Sequence, residues 1–593
     1  MGQPKRVTPA FPFFLLVFAG ILLAGCETAP PARQRPVKVG AETSLVEHSK
    51  IFQPGVEKVA DKVYVAIGYG IANSIMIEGK DGLIIVDTMT TNEEAEIVLS
   101  EFRKISNKPI RAIIYTHSHP DHVLGSEVFA REGSPEIYAH ETTSWHVSRI
   151  LTEVRPIIGM RSMRMYGSFL ESGAVTNVGI GPFVGMNPGS TVGYALPTRT
   201  FSEALDGEAA GIRFRLVSAP GETDDQIFVW LPEQKVLIPG DNFYWAFPNL
   251  YTIRGTLFRS LKNWYRSIDK MRDLGAEYMI PCHTRPIVGA DNIEIILTDY
   301  RDAIQYVHDQ AIRGMNMGLT PDELAETVML PPHLADAPYL QPFYGKVSWS
   351  VRSMFSGNLG WFDGDAATLD PLARRDQAAL MVELAGGAER LRDIAEEKFR
   401  AGEYQAVLQL SGHLMQLLPQ DPQIRSLRVR ALMAVGTRER NPNARHYYLS
   451  EAVEIRDGFV VSETSRPSPR LLRGFSLQSF FDAMATALDP VAGVDVDRIV
   501  GIRFTDVGEA YTIHVRRGVA EIRQRTPETF ETIQMDIRVS ADSQEWKEML
   551  AKLRNPVVTL AGFRYEKGNP ISFARFLALF RPEKPKLPCE PLP

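Results

Sequence analysis

The stretch RAIIYTHSHPDHVLG, Arg111 to Gly125, decides how the chain is read. Its first half, Ala112-Ile113-Ile114-Tyr115, is an unbroken apolar run, the pattern of a strand buried on both faces. Its second half places three histidines and an aspartate between His117 and His122. A single histidine is commonly a packed core residue. Three with an acid, directly at a strand end, concentrate nitrogen and oxygen donors where folds carry their active loops. Successive side chains of an extended turn alternate in direction. His117 and His119 can therefore face one cation while Asp121 and His122 serve a second beside it. Borderline-soft nitrogen with hard oxygen suits two divalent ions, with zinc the expected metal and manganese or iron the alternatives. About three or four ligands per ion are needed, so further donors are expected elsewhere.

Around this stretch, residues 60 to 290 alternate strand-like and helix-like segments. LIIVDT (Leu83 to Thr88), EIYAH, FRLVSAP, QIFVWLP and VLIPGD read as strands. NEEAEIVLSEFRKI reads as a helix with Ala95, Val98, Leu99 and Phe102 on one face and acids in the first turn. This is the pattern of an α/β layered domain. From 295 to 440 helical patterns dominate. One stripe carries Leu391, Ile394, Ala395 and Phe399, a second Val407, Leu408, Leu414, Leu417 and Leu418, and LPQDP breaks the chain after them, as in a helical hairpin. From 465 to 585, RIVGIRF and AYTIHVRR alternate apolar and polar residues around a DVGE turn, between helical segments, as in a small α+β domain.

The chain has 593 residues and a formal net charge of −6 with its charges mixed. That length calls for several domains, and the absence of a basic stripe argues against a nucleic-acid partner. At the N-terminus Lys5 and Arg6 precede FPFFLLVFAGILLAGC, a run of signal-peptide length. Its end, Leu23-Ala24-Gly25-Cys26, resembles a bacterial lipobox. The resemblance implies cleavage before Cys26 and lipid attachment to its sulfur. Residues 26 to 49 are then expected to be a Pro- and Ala-rich tether, and the mature protein a membrane-anchored lipoprotein on the periplasmic side. Glu27 weakly favours the outer membrane. Cys282 and Cys589 give no disulfide framework.

The HxHxDH motif after a buried strand resembles the metallo-β-lactamase superfamily. The resemblance implies an αββα sandwich over residues 50 to 295, with Asp87 bracing the metal loops. It also directs attention to three later loops. APGETDDQ offers Glu222 where the superfamily commonly has histidine, LIPGDN offers Asp241 as a bridging carboxylate, and MIPCHTRP offers His283. His117, His119 and Glu222 are then expected at one ion, and Asp121, His122 and His283 at the other.

A glutamate at the third position resembles the alkylsulfatase branch, and NLYTIRG, Asn249 to Gly255, is similar to the segment that lines its sulfate pocket. Segments from YRDAIQYVHDQAIRG to LGWFDGDAATLDP resemble its helical dimerisation domain, expected over 296 to 455, and the last domain its sterol-carrier-protein-like module, over 465 to 585. The resemblance implies a homodimeric enzyme that hydrolyses a small amphiphilic sulfate ester. Asp121, Arg254, Asn249 and Tyr166 are the candidate catalytic and substrate-binding groups. A planar guanidinium such as Arg254 suits a sulfate monoester, and the Met- and Phe-rich stretch Ile157 to Phe183 is either an alkyl trough or ordinary core. Three departures stand out. Glu222-Thr223 reverses the branch's Thr-Glu order, Asp241 replaces glutamate, and Trp349 replaces a histidine thought to touch substrate. They leave open another hydrolase of this fold, acting on a phosphoester, a lactone or a different sulfate ester. A non-catalytic lipid-binding lipoprotein is the further alternative.

Overall fold

A computed structural model describes residues 41–593 apart from 132, 172, 188, 462–465, 582–586, 588 and 591–593. The expected signal peptide, Cys26 and most of the tether lie outside the described residues. No described helix is long and apolar enough to cross a membrane. Residues Gly40–Pro593 form one compact unit.

The N-terminal half is the expected sandwich of two sheets. In the seven-stranded sheet, Leu83–Val86, Ile110–Ile114, Glu136–His140 and Arg199–Phe201 run parallel side by side. Ser74–Glu78, Val63–Ile67 and Gly55–Ala60 continue it antiparallel. The apolar runs are continuous because both faces are covered. Ile84, Val86 and Ile114 point into the core shared with Leu216, Ile227, Val229 and Ile238 of the six-stranded second sheet. Leu83, Ile85 and Ile113 point the other way, onto Ala95, Val98, Leu99 and Phe102 of helix Asn92–Arg103. That helix begins where the Thr91 side chain accepts from Glu94 N–H.

The expected boundary at 295/296 falls inside a continuous helix, Ala290–Asn316. Ile293, Leu297 and Tyr300 on this helix pack with Trp264 and Ile268 of helix Leu261–Arg272, so it covers the second sheet rather than opening a separate domain. The helical region follows it. Leu391 and Ala395 on Ala388–Arg400 meet Val407, Leu408 and Leu414 on Tyr404–Leu417, and Asp421 caps the next helix, Pro422–Arg438. Leu418 leaves the expected stripe, because the helix ends before it and its side chain is exposed.

The C-terminal domain is a five-stranded sheet with Leu477–Thr486, Ser543–Leu550 and Pro570–Leu577 sharing its apolar core. The two strands expected around DVGE pair in register Phe504↔Glu509.

Residues 41 to 49 are a helix rather than tether: Leu45 is buried, and the His48 ring stacks on Phe343 with centroids 4.0 Å apart. Cys589, in the Pro-rich C-terminal stretch, is packed as well. It is buried with Leu587 in the helical core, where its carbonyl accepts from Gln416 at 2.7 Å.

Helix Arg155–Tyr166 joins the two-sheet half to the helical region. Its Arg164 makes a two-pronged, fully buried ion pair with Glu454, at 2.8 and 3.0 Å. A residue two positions along, Tyr166, reaches the candidate site.

Candidate metal centre

The strand Ile110–Ile114 leads through Tyr115 to Thr116, and the residues from there fold around a buried aspartate. Asp87 accepts from Thr116 N–H at 2.8 Å, from Thr116 Oγ1 at 2.7 Å, and meets His122 Nδ1 at 2.7 Å. Its φ of +58° is a conformation that non-glycine residues seldom adopt. Asp87 thus braces the loop, as expected, and leaves His122 Nε2 free to face inward. His283 is held in the same manner: Nδ1 lies 2.7 Å from the Ile71 carbonyl, and Nε2 lies 3.1 Å from Asp241 and 3.5 Å from Asp121. Such outer partners fix the tautomer that turns the opposite nitrogen toward a metal.

The expected ligands converge with one exception. Among the described residues, Asp121, His122 and His283 offer ligand atoms all within 4.8 Å of one another, as do His117, His119 and Asp241. A third set, Asp87, His122 and Cys282, contains the brace and lies on the far side of His122. Asp241 reaches both halves, at 3.6 Å from His117, 3.4 Å from His122 and 3.1 Å from His283, which is where a bridging carboxylate belongs. Glu222 is in none of the three sets. Its Oε1 is 2.7 Å from Arg259 Nη1, while Oε2 is buried without a partner.

The donor set fits two divalent cations. His117 Nε2 and His119 Nδ1 stand 2.9 Å apart, an approach natural for two nitrogens serving one ion. Asp241 Oδ1 and Glu222 Oε2 are buried with no hydrogen-bond partner among the described residues, and His122 Nε2 has only the carboxylates of Asp121 and Asp241 beside it, at 3.4 Å each, which is costly unless a cation completes them. Without metal, protons balance the charge unevenly. Burial, then the neighbouring His122, lowers His117 to about 4. Burial alone would also lower His122, but Asp241, Asp121 and Asp87 outweigh it and raise that imidazole well above its ordinary value. Asp121 falls to about 2 because His122 and His283 outweigh its burial. Glu222 rises to about 7 through burial, which Arg259 offsets only in part.

Arg254 is buried, with Nη2 3.0 Å from His119 Nε2. The Tyr166 hydroxyl lies 3.1 Å from that of Tyr344. Arg254, Tyr166 and Asp121 share a cavity of about 100 Å³ whose wall includes Ile71, Ile158, Met163 and Val184. The Met- and Phe-rich stretch therefore divides: Ile158 and Met163 line the cavity, while Met165, Val178 and Ile180 are core. Through Leu151 and Arg155 the cavity adjoins an apolar chamber of about 900 Å³ lined largely by the C-terminal domain. Asn249 lines neither space, and its side-chain amide is buried with no hydrogen-bond partner among the described residues. Trp349 lines neither space. It lies on helix Val347–Leu359 beneath Lys346, whose ammonium is 5.3 Å from its ring centroid.

Several contributors escaped sequence reasoning. Asn242, next to Asp241, donates to the Ala219 carbonyl at 2.7 Å and accepts from Glu222 N–H at 3.2 Å, tying two ligand loops together. Glycine is required at 221, where a Cβ would stand 2.0 Å from Asn242 Oδ1. Asn73 donates to the carbonyls of Pro281 and Thr284 and so anchors the His283 loop to the first sheet. The only signal for Asn242 was its place next to Asp241, and Asn73 carried none.

A two-sheet sandwich with such a cluster at its strand ends defines a hydrolase of the metallo-β-lactamase superfamily, and residues 67–283 match that superfamily's profile. Residues 320–458 match alkyl sulfatase dimerisation and 465–587 the alkyl sulfatase C-terminal domain. A linear primary-alkylsulfatase of a Pseudomonas strain is 40% identical over 76% of this chain and 88% of its own. An (R)-specific secondary-alkylsulfatase of Pseudomonas is 30% identical over 78% of this chain and 72% of its own. The Saccharomyces cerevisiae alkyl/aryl-sulfatase BDS1 is also 30% identical, over 73% and 69%. The solved structure of the inverting sec-alkylsulfatase Pisa1 from Pseudomonas sp. superposes with a TM-score of 0.83 at 26% identity, over 92% of this chain and 87% of that one. The chain belongs to the alkylsulfatase family.

Proposed function

We propose that the protein hydrolyses alkyl sulfate esters to an alcohol and inorganic sulfate at a two-metal centre, with zinc as its metal. The observation that carries this reading is the shared cavity: a buried guanidinium, a phenol and a candidate metal-ligand carboxylate line one space together with apolar side chains. His117, His119 and Glu222 would hold one ion and Asp121, His122 and His283 the other, with Asp241 between them. Bound there, the two ions supply Lewis acidity and hydroxide near neutral pH. The chain's own groups do the rest. Arg254 forks onto sulfate oxygens, Tyr166 and the Asn249 amide offer further donors, and the buried wall keeps water from the alkyl end. The adjoining chamber gives a longer chain somewhere to go, since about 100 Å³ is small beside the roughly 300–1,000 Å³ of typical ligand pockets.

The protein acts as a homodimer in this reading. Leu359, Trp361, Leu369, Leu372 and Leu384 are all exposed, and a second copy would cover them. Cys26 carries the lipid that holds it on the periplasmic face of a bacterial membrane, favouring the outer one. The Leu23-Ala24-Gly25-Cys26 pattern supports this.

The test is release of inorganic sulfate from octyl, dodecyl and secondary alkyl sulfates, beside a phosphoester and a lactone, with Glu222→Ala as the control. Sulfate release that disappears in the control supports the reading. Turnover of another ester alone would move the substrate to a different class, and two bound metals with no turnover would favour a binding protein.

A further inference from the structure

Arg259 is a buried cation with no role in the reading so far. It is 2% exposed, and its Nη1 donates to two acceptors: Glu222 Oε1 at 2.7 Å and the Asn249 carbonyl at 2.5 Å. Its backbone is held at the entry of helix Leu261–Arg272, whose cap is the adjacent Ser260 accepting from Asn263 N–H. The guanidinium thus rises from a rigid base and joins two loops: the one carrying Glu222 and the one carrying Asn249 and Arg254.

The consequence for Glu222 is geometric. One oxygen is occupied by Arg259, and the other is buried, unpartnered and within the electrostatic reach of Asp241 and His283. We propose that Arg259 is a positioning residue that claims Glu222 Oε1 and so presents Oε2 alone to the cation held by His117 and His119. This inference rests on the two-metal reading. It explains how Glu222 serves a half-site whose other members lack a protein carboxylate to orient them: His119 meets a guanidinium, Arg254, where His122 meets Asp87. A carboxylate left to itself could take a cation through both oxygens. With Arg259 in place it is a one-oxygen ligand whose charge is shared with a fixed partner.

The test measures zinc affinity and stoichiometry on the full chain by competition with a chromophoric chelator. Wild type, Glu222→Ala, Arg259→Met and the double variant are compared. Wild type is expected to hold two ions. Arg259→Met is expected to weaken one of them by about 10–100-fold, the scale of losing a group that orients a ligand, and to leave the other unchanged. In the Glu222→Ala background, Arg259→Met is expected to add no further loss, because it acts through Glu222. Retention of both ions within two-fold in Arg259→Met overturns the proposal, and so does an additive loss in the double variant. Arg259→Gln, which keeps a polar chain, repeats the comparison if the methionine variant does not fold, with the same outcomes deciding. Fewer than two ions on wild type would overturn the two-metal reading instead.

Discussion

The two halves of the metal centre are built differently. Asp121, His122 and His283 stand together within 4.8 Å, and each histidine is held from behind by an acceptor, Asp87 or the Ile71 carbonyl. In the other half, His119 and Glu222 have arginines at their backs, Arg254 and Arg259. An acceptor behind an imidazole raises its basicity and favours a cation. An arginine behind a ligand lowers its charge and ties it to whatever else the arginine holds. The first arrangement suits permanent metal retention. The second links the other ion's ligands to the groups proposed to bind the anion.

The contrast can be broken most severely at His122. His122→Ala removes a ligand and strands Asp87, and should cost several kcal/mol of transition-state stabilisation, or at least about 10³-fold in kcat/KM for dodecyl sulfate. Retained activity would mean the half built on Asp121, His122 and His283 is dispensable. Asp87→Asn keeps the shape but weakens the brace. The expected result is a loss of about 10–100-fold in affinity for one ion, read by chelator competition, with the second ion unaffected.

Proton balance sharpens the comparison further, and chelated protein shows it in thermal unfolding against pH. His117 has a folded value of about 4, below its unfolded value. Its contribution is present above about 6.5 and is lost as pH falls toward 4. His122 is raised, so its contribution is fully present below about 6.5 and is lost as pH rises through the higher folded value. Asp121, lowered to about 2, contributes above about 3.9 and loses that contribution as pH falls toward 2. His122→Ala should therefore remove a destabilisation seen on the alkaline side, and His117→Ala one on the acid side. Curves that shift identically would erase the distinction between the halves. The smallest effect is expected at Trp349, outside both spaces. Trp349→His should change kcat/KM by less than about two-fold, in the range of surface substitutions.

Much of this was readable along the chain. A strand buried on both faces must be apolar throughout, so LIIVD and RAIIY declared the sandwich and the place of Asp87. Ligands packed into one turn, as in His117 to His122, are local, and local spacing is visible. What could not be read were contacts set by approach across distant segments. Arg259 looked like any basic residue before a helix until the fold set it against Glu222, 37 positions away. Leu45 sat downstream of a Pro-rich stretch whose composition says tether, yet it finds a pocket beside Tyr244 and Phe343. Trp349 matched a substrate-contact position in order along the chain, and the helix it rides turns it away from the site.

The sequence by itself determined the layered fold, the cluster of donors and the family. Each of these is written in short-range pattern: period, run length and motif spacing. Only the tertiary structure decided which oxygen of Glu222 is free, that Asp241 reaches both halves, and that the cavity beside Arg254 adjoins a chamber of the C-terminal domain. Those facts depend on which side chains meet across long loops, and packing of the whole unit settles them.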